Sequence, residues 1–226
     1  MLERKVKQDF IIMRYSCEEY AKDLYENGTV YLKTIQYFKN LEDVQGKQYL
    51  RGDRNEGVKK ISNYDNKKSK PWLSVKIPGK EPIVLYPEIL TLREYHDKLP
   101  LNVYCMSAFD NTAKDSDGNI KIDLQALHFG NHFVVFKNSQ DFYDRLNAEL
   151  KRLKYNFWFG HVQYYDATID QNDLTHFDKP NEFSWQNEFR LIVKHPKGLN
   201  EDLVIKLGSM EDIADLVVIE DEKKNN

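Results

Sequence analysis

Hydrophobic and polar residues alternate, cluster and break along this chain in a way that predicts short strands with few helices. Phe10-Ile11-Ile12-Met13-Arg14-Tyr15 is an apolar run ending near a charge, as in a buried strand that emerges at a sheet edge or cleft. Ser16 with Glu19 three residues on has capping-box spacing. It predicts a helix over Glu18 to Glu26 closed by Asn27-Gly28, followed by a strand from Thr29 to Leu32. Ile35 to Leu41 reads as a short helix. Arg51 to Gly57 reads as a charged loop between glycines, able to bring Asp53 or Glu56 to a site without the oxygen spacing of a Ca²⁺ loop. Strand-like pieces at 73–77 and 82–86 predict an inserted hairpin within a polar, proline-rich region around 58–100.

The core resumes at Leu101 to Phe109, whose alternation is that of a strand, and at Asn131 to Phe136. A stripe of Phe142, Leu146, Leu150 and Leu153 predicts an amphipathic helix over Ser139 to Lys154. Aromatic residues from Tyr155 to Tyr165 read as a strand, and Ala167 to Pro180 as a polar connection. A strand is expected over Glu182 to Lys194, with Phe183, Trp185, Phe189, Leu191 and Val193 on a core face. Glu182, Ser184, Gln186, Glu188 and Arg190 then fall on the other face. Leu203 to Leu207 is a strand, Ser209 to Ala214 a short helix and Asp215 to Glu220 a last strand. Strands not joined by regular crossover helices predict an α+β fold with a mixed, largely antiparallel sheet, in a single domain spanning 1–226.

Composition narrows the chemistry. The 226 residues are 41% hydrophobic and 31% charged, and 33 basic against 36 acidic side chains give a formal charge of -3. That balance supplies no global field for nucleic acid or anionic membrane. Lys59, Lys60, Lys67, Lys68 and Lys70, with Tyr64 and Trp72 nearby, form a local basic and aromatic mixture of the kind that binds single strands. The sequence has neither an apolar run of membrane-spanning length nor a signal-peptide pattern, so a cytoplasmic location is expected. Cys17 and Cys105 make neither a disulfide framework nor a metal-ligand cluster. His128 and His132 stand four apart, but Gly130 and the valines that follow favour a strand or turn over a metal-binding helix, so no metal is expected. Gly-rich phosphate loops, nucleophile elbows and zinc-protease helices are absent from the sequence.

Three fragments fall in a familiar order: Arg14 at the end of the first core strand, Ser107 in a mid-chain strand, and Gln186-Asn187-Glu188 late in the chain. This order resembles the arginine, serine, glutamate arrangement of the ADP-ribosyltransferase superfamily. Cys105-Met106-Ser107 keeps only the last hydroxyl of that superfamily's Ser-Thr-Ser. The wider layout also resembles a family of bacterial and phage-associated proteins that carries no established activity. The resemblance implies a split mixed sheet around an NAD cleft. It further implies Glu188 as the carboxylate at the nicotinamide ribose, Gln186 as the group orienting the acceptor, and Arg14, Tyr15 and Ser107 as NAD-binding residues. The acceptor would be a protein or nucleic acid in a phage-defence or toxin context. Phe157, Trp158, Phe159, Tyr164 and Tyr165 are candidates to stack a base or nicotinamide, or are core. The alternative is a non-catalytic binding or regulatory protein on the same fold, with Gln186 and Glu188 on a solvent face and Arg14 and Arg190 as ordinary ion-pair partners.

Overall fold

The computed structural model describes residues 10–45, 52–65, 72–96, 99–110 and 113–219. In chain order the elements are β1 (Ile11–Ser16), α1 (Glu18–Asn27), β2 (Thr29–Thr34), α2 (Ile35–Gln45), β3 (Val58–Asp65), β4 (Leu73–Val75), β5 (Ile83–Leu85), β6 (Ile89–Tyr95) and β7 (Leu101–Phe109). There follow β8 (His132–Phe136), α3 (Ser139–Arg152), β9 (Asn156–His161), β10 (Gln163–Tyr165), β11 (Asp178–Pro180), β12 (Glu188–Lys194), β13 (Leu203–Lys206) and β14 (Ala214–Val218). Two 3-10 helices, Leu124–Phe129 and Asn181–Gln186, flank the site described below. The fold is α+β with mostly antiparallel sheets and few helices. Its one parallel pairing among the described residues joins β10 to β11.

The main sheet forks. β7 pairs along one edge with β12, in the register Glu188 to Ser107 through Lys194 to Leu101. Its other edge is shared: the N-terminal part pairs with β2 at Lys33↔Val103 and Thr34↔Asn102, and the C-terminal part with β1 from Met13↔Ser107 to Ile11↔Phe109. β1 continues outward to β8 and β14, β2 to β13, and β12 to β9. Tyr104, Cys105 and Met106 therefore lie where β1 and β2 part company.

One face of the sheet is covered by α1 and α3. Ile12, Tyr104, Met106, Phe189, Leu191 and Val193 pack there against Ala21, Leu24, Phe142, Leu146 and Leu150, so the predicted stripe of α3 is core. The opposite face is not one apolar surface. Met13, Tyr15, Phe109 and Phe133 form one cluster, and Leu101, Val103 and Ile192 a second. Along β7 this face runs Leu101, Val103, Cys105, Ser107, Phe109, and the polar Ser107 falls in the gap between the clusters. Along β12 it runs Glu188, Arg190, Ile192, and the two charges fall in the same gap.

Several sequence expectations are corrected. The strand expected over Glu182 to Lys194 begins at Glu188; Asn181–Gln186 is a 3-10 helix ended by Asn187 in the left-handed region at φ 42. Phe183 and Gln186, three apart, are both buried, the eclipsed spacing of a 3-10 turn rather than the alternation of a strand. Glu188 and Arg190 are not on a solvent face, being 3% and 1% exposed. Cys17, not Ser16, is the N-cap of α1, without a side-chain cap bond, while Gly28 closes the helix in the left-handed region as expected. Ser209 to Ala214 is a single turn in which Met210 O accepts from both Ile213 and Ala214 N–H, too short to propagate a helix. β4 and β5 pair as the expected hairpin.

Candidate functional site

A cleft of about 460 Å³ opens at the fork. Strand pairing dictates what meets there. Ser107 is opposite Met13 of β1 on one side and opposite Glu188 of β12 on the other, so the mid-chain hydroxyl and the late carboxylate are cross-strand neighbours. The Ser107 hydroxyl donates to the Gln186 carbonyl at 2.6 Å, fastening the 3-10 helix to β7 just before β12 starts. The Glu188 N–H donates to the Tyr164 hydroxyl at 2.8 Å. Arg14, Tyr15, Ser107, Gln186 and Glu188 all line the cleft.

Arg14 comes to the fork from inside β1. Its Nη1 donates to the Cys105 carbonyl at 2.6 Å, where β7 has neither β1 nor β2 as an edge partner, and its guanidinium lies 4.9 Å from the centre of the Tyr104 ring. None of the ion pairs among the described residues includes Arg14, which leaves its charge available to an anion. Tyr15 points to the other face, into the Met13 and Phe133 cluster. Burial pushes its phenol up to about 12, with the neighbouring Ser107 hydroxyl acting the other way.

Behind Glu188 lies a buried ionic chain. Arg190 Nε donates to Glu188 Oε1 at 2.5 Å, and Lys179 Nζ donates to Glu188 Oε2 at 2.9 Å and to Gln186 Oε1 at 2.8 Å. Arg190 also grips both oxygens of Glu56 and donates to the His176 carbonyl at 2.7 Å. Gln186 and Glu188 are thus joined through Lys179 rather than by strand spacing. Burial alone raises the Glu188 pKa, but the Arg190 and Lys179 charges outweigh it and hold the carboxyl well below the usual carboxylate range. Burial likewise opposes the Arg190 charge, and Glu188 and Glu56 overcome that opposition. Cys105 beside them has its thiol pushed well up, first by burial and then by the Glu188 charge. Three carboxyl groups, Asp53, Glu56 and Glu188, face two cations, Lys179 and Arg190, all at most 5% exposed.

A buried ion network is a poor device for stability alone, since apolar side chains of the same volume commonly do as well. Its position on the wall of the cleft at the fork makes it a candidate site. No protein family, characterised protein or solved structure matches the chain. The site is read from its geometry.

Lys179 was not distinguishable in the sequence within the polar connection ending at Pro180, whereas the loop holding Asp53 and Glu56 was marked by its charge between glycines. The aromatic candidates do not line the cleft: Phe157 and Phe159 pack against the main core, Trp158 is exposed, and Tyr164 holds the Glu188 backbone. Aromatic walls come instead from Tyr20, Tyr31, Tyr37, Phe38, Tyr104 and Phe129. Of the lysine-rich patch, Lys67, Lys68 and Lys70 lie outside the described residues. Among the described residues no group of three His, Cys, Asp or Glu is placed to hold a metal, and no helix is long and apolar enough to cross a membrane.

Proposed function

We propose that the cleft binds NAD and that the protein is an ADP-ribosyltransferase-like enzyme acting on a protein or nucleic-acid acceptor. The observation that carries this reading is the convergence of Glu188, Ser107, Gln186 and Arg14, from three strands and a 3-10 helix, on one aromatic-walled cleft at a fork in the sheet. An aromatic wall suits a planar base, and an arginine without a carboxylate partner among the described residues suits a phosphate.

In this chemistry the bond from ribose C1′ to the nicotinamide nitrogen breaks, and nicotinamide leaves with the electron pair. The acceptor nucleophile then bonds to C1′ and loses its proton. Positive charge develops on the ribose in between, so a carboxylate fixed in its ionised form stabilises the transition state more than the ground state. Lys179 and Arg190 keep Glu188 ionised and immobile, and a carboxylate oxygen can accept a second hydrogen bond, here from a ribose hydroxyl. Arg14 holds the phosphates and Gln186 faces the acceptor side.

The pairing of Glu188 with two buried cations favours a second reading, in which the cleft binds a nucleotide without turning it over. Nicotinamide release from NAD by the purified chain separates the two. The transferase reading expects release that falls about 10²- to 10³-fold in Glu188→Gln with retained NAD affinity. NAD binding without release in the wild type selects the second reading.

A further inference from the structure

Asp53, on the loop that also carries Glu56, presents a second carboxyl to the cleft. It is 2% exposed and lines the cleft wall. Its Oδ1 accepts the Asn55 N–H at 2.8 Å, while Oδ2 is buried with no partner among the described residues. The Asp53 backbone is fixed on both sides: its N–H donates to the Phe38 carbonyl, and its carbonyl accepts the Glu56 N–H at 3.0 Å. Buried polar atoms in native proteins are nearly always satisfied, and an exception on a cleft wall is met by what the cleft takes up.

The groups facing Asp53 are Glu56 from its own loop, Lys179 from β11, Arg190 from β12 and Tyr165 from β10. Burial first, and then the Glu56 charge, raise the Asp53 carboxyl to about 7, with Lys179 and Arg190 acting in the opposite direction. Neither cation reaches it as an ion pair, because Lys179 bonds Gln186 and Glu188, and Arg190 bonds Glu56 and Glu188. Among the described residues no donor reaches Oδ2, which leaves it to a group that the cleft takes up.

We propose that Asp53 Oδ2 is a ligand-recognition group of the cleft, accepting a hydrogen bond from an N–H or O–H of a bound nucleotide whose phosphate lies towards Arg14. The assignment rests on the nucleotide reading above and adds to it the point at which a neutral donor of the ligand is read. A donor bond favours the ionised carboxylate, so the ligand selects deprotonated Asp53, and binding near pH 7 releases part of a proton.

The test is calorimetric titration of NAD into the full chain between pH 6 and 8, in buffers of different ionisation enthalpy. Wild type, Asp53→Asn and Arg14→Ala are compared. The expected result is proton release in the wild type that disappears in Asp53→Asn, with affinity about tenfold weaker at pH 8 and a smaller gap at pH 6. Binding that depends on Arg14 but is unchanged in affinity and proton release by Asp53→Asn overturns the Asp53 assignment alone. No NAD binding to the wild type overturns the nucleotide reading and this assignment with it. Where Asp53→Asn fails to fold, the wild type decides: release that follows a group titrating near 7 supports the assignment, and binding without proton release overturns it.

Discussion

Arg190 of β12 holds Glu56 with both terminal nitrogens, at 2.8 and 2.9 Å, across 134 positions of sequence. The pair fixes Glu56, just ahead of β3, to the centre of the sheet, and both partners are buried. Removing one member leaves a charge without its counterion in a dry environment. Glu56→Gln and Arg190→Met are each expected to cost about 3–5 kcal/mol of unfolding free energy, and the double variant clearly less than their sum. Urea unfolding of the four proteins measures the coupling.

Asp53 sets a pH dependence of the opposite sign to that of an ordinary carboxylate. Its folded pKa, about 7, lies above the ordinary 3.8, so the folded chain binds this proton more tightly than the unfolded chain. Its contribution is fully present below the unfolded value and is lost as pH rises to about 7. The stability of Asp53→Asn relative to wild type is therefore expected to improve between pH 4 and pH 7 by a few kcal/mol at most, at ~1.4 kcal/mol per unit, and to stay level above that. Thermal unfolding across this range checks it. A gain that instead grows on acidification would contradict the raised pKa.

Arg14 stands outside the buried ionic network, so its variants test binding with little risk to the fold. Arg14→Lys keeps a charge but loses the planar fork that bonds Cys105 O and lies over Tyr104. Arg14→Ala loses both. NAD affinity is expected to fall about 10-fold in the lysine variant and further in alanine, with melting temperatures within a few degrees of wild type.

Gly28 closes α1 at φ 61, and a Cβ there would stand 1.9 Å from the Gly208 carbonyl oxygen. Backbone meets backbone, so no side chain can swing aside. Gly28→Ala is expected to cost at least about 2 kcal/mol and to loosen the junction of α1 with β13, read as faster hydrogen exchange at Leu207 N–H, which donates to Gly28 O.

Much of the scaffold was legible because its signals are local. Leu101 to Phe109 reads as a strand from alternation and is one to the residue, and the stripe of Phe142, Leu146 and Leu150 reads as a buried helix face. The Asn187 kink was hidden because Phe183, Trp185 and Phe189 satisfy a period of two, whereas the 3-10 spacing rests on Phe183 and the polar Gln186. The candidate residues Arg14, Tyr15, Ser107, Gln186 and Glu188 do share one cleft, but the partners that define Glu188 were not legible. Lys179 sits in a polar stretch without periodicity, and Glu56 reaches Arg190 only through pairing of distant strands. Whether a charged side chain meets solvent or a counterion is a property of the assembled sheet, not of its neighbours in sequence.

The shared edge of β7 gives the sheet the construction of a book. β2 with β13 forms one leaf, β1 with β8 and β14 the other, and by strand pairing both are bound to the same spine. The core under α1 and α3 ties the leaves together, taking Val30, Leu32 and Ile205 from one and Ile12, Val134 and Phe136 from the other. Arg14, reaching from one leaf to the exposed carbonyl of the spine, acts as the clasp.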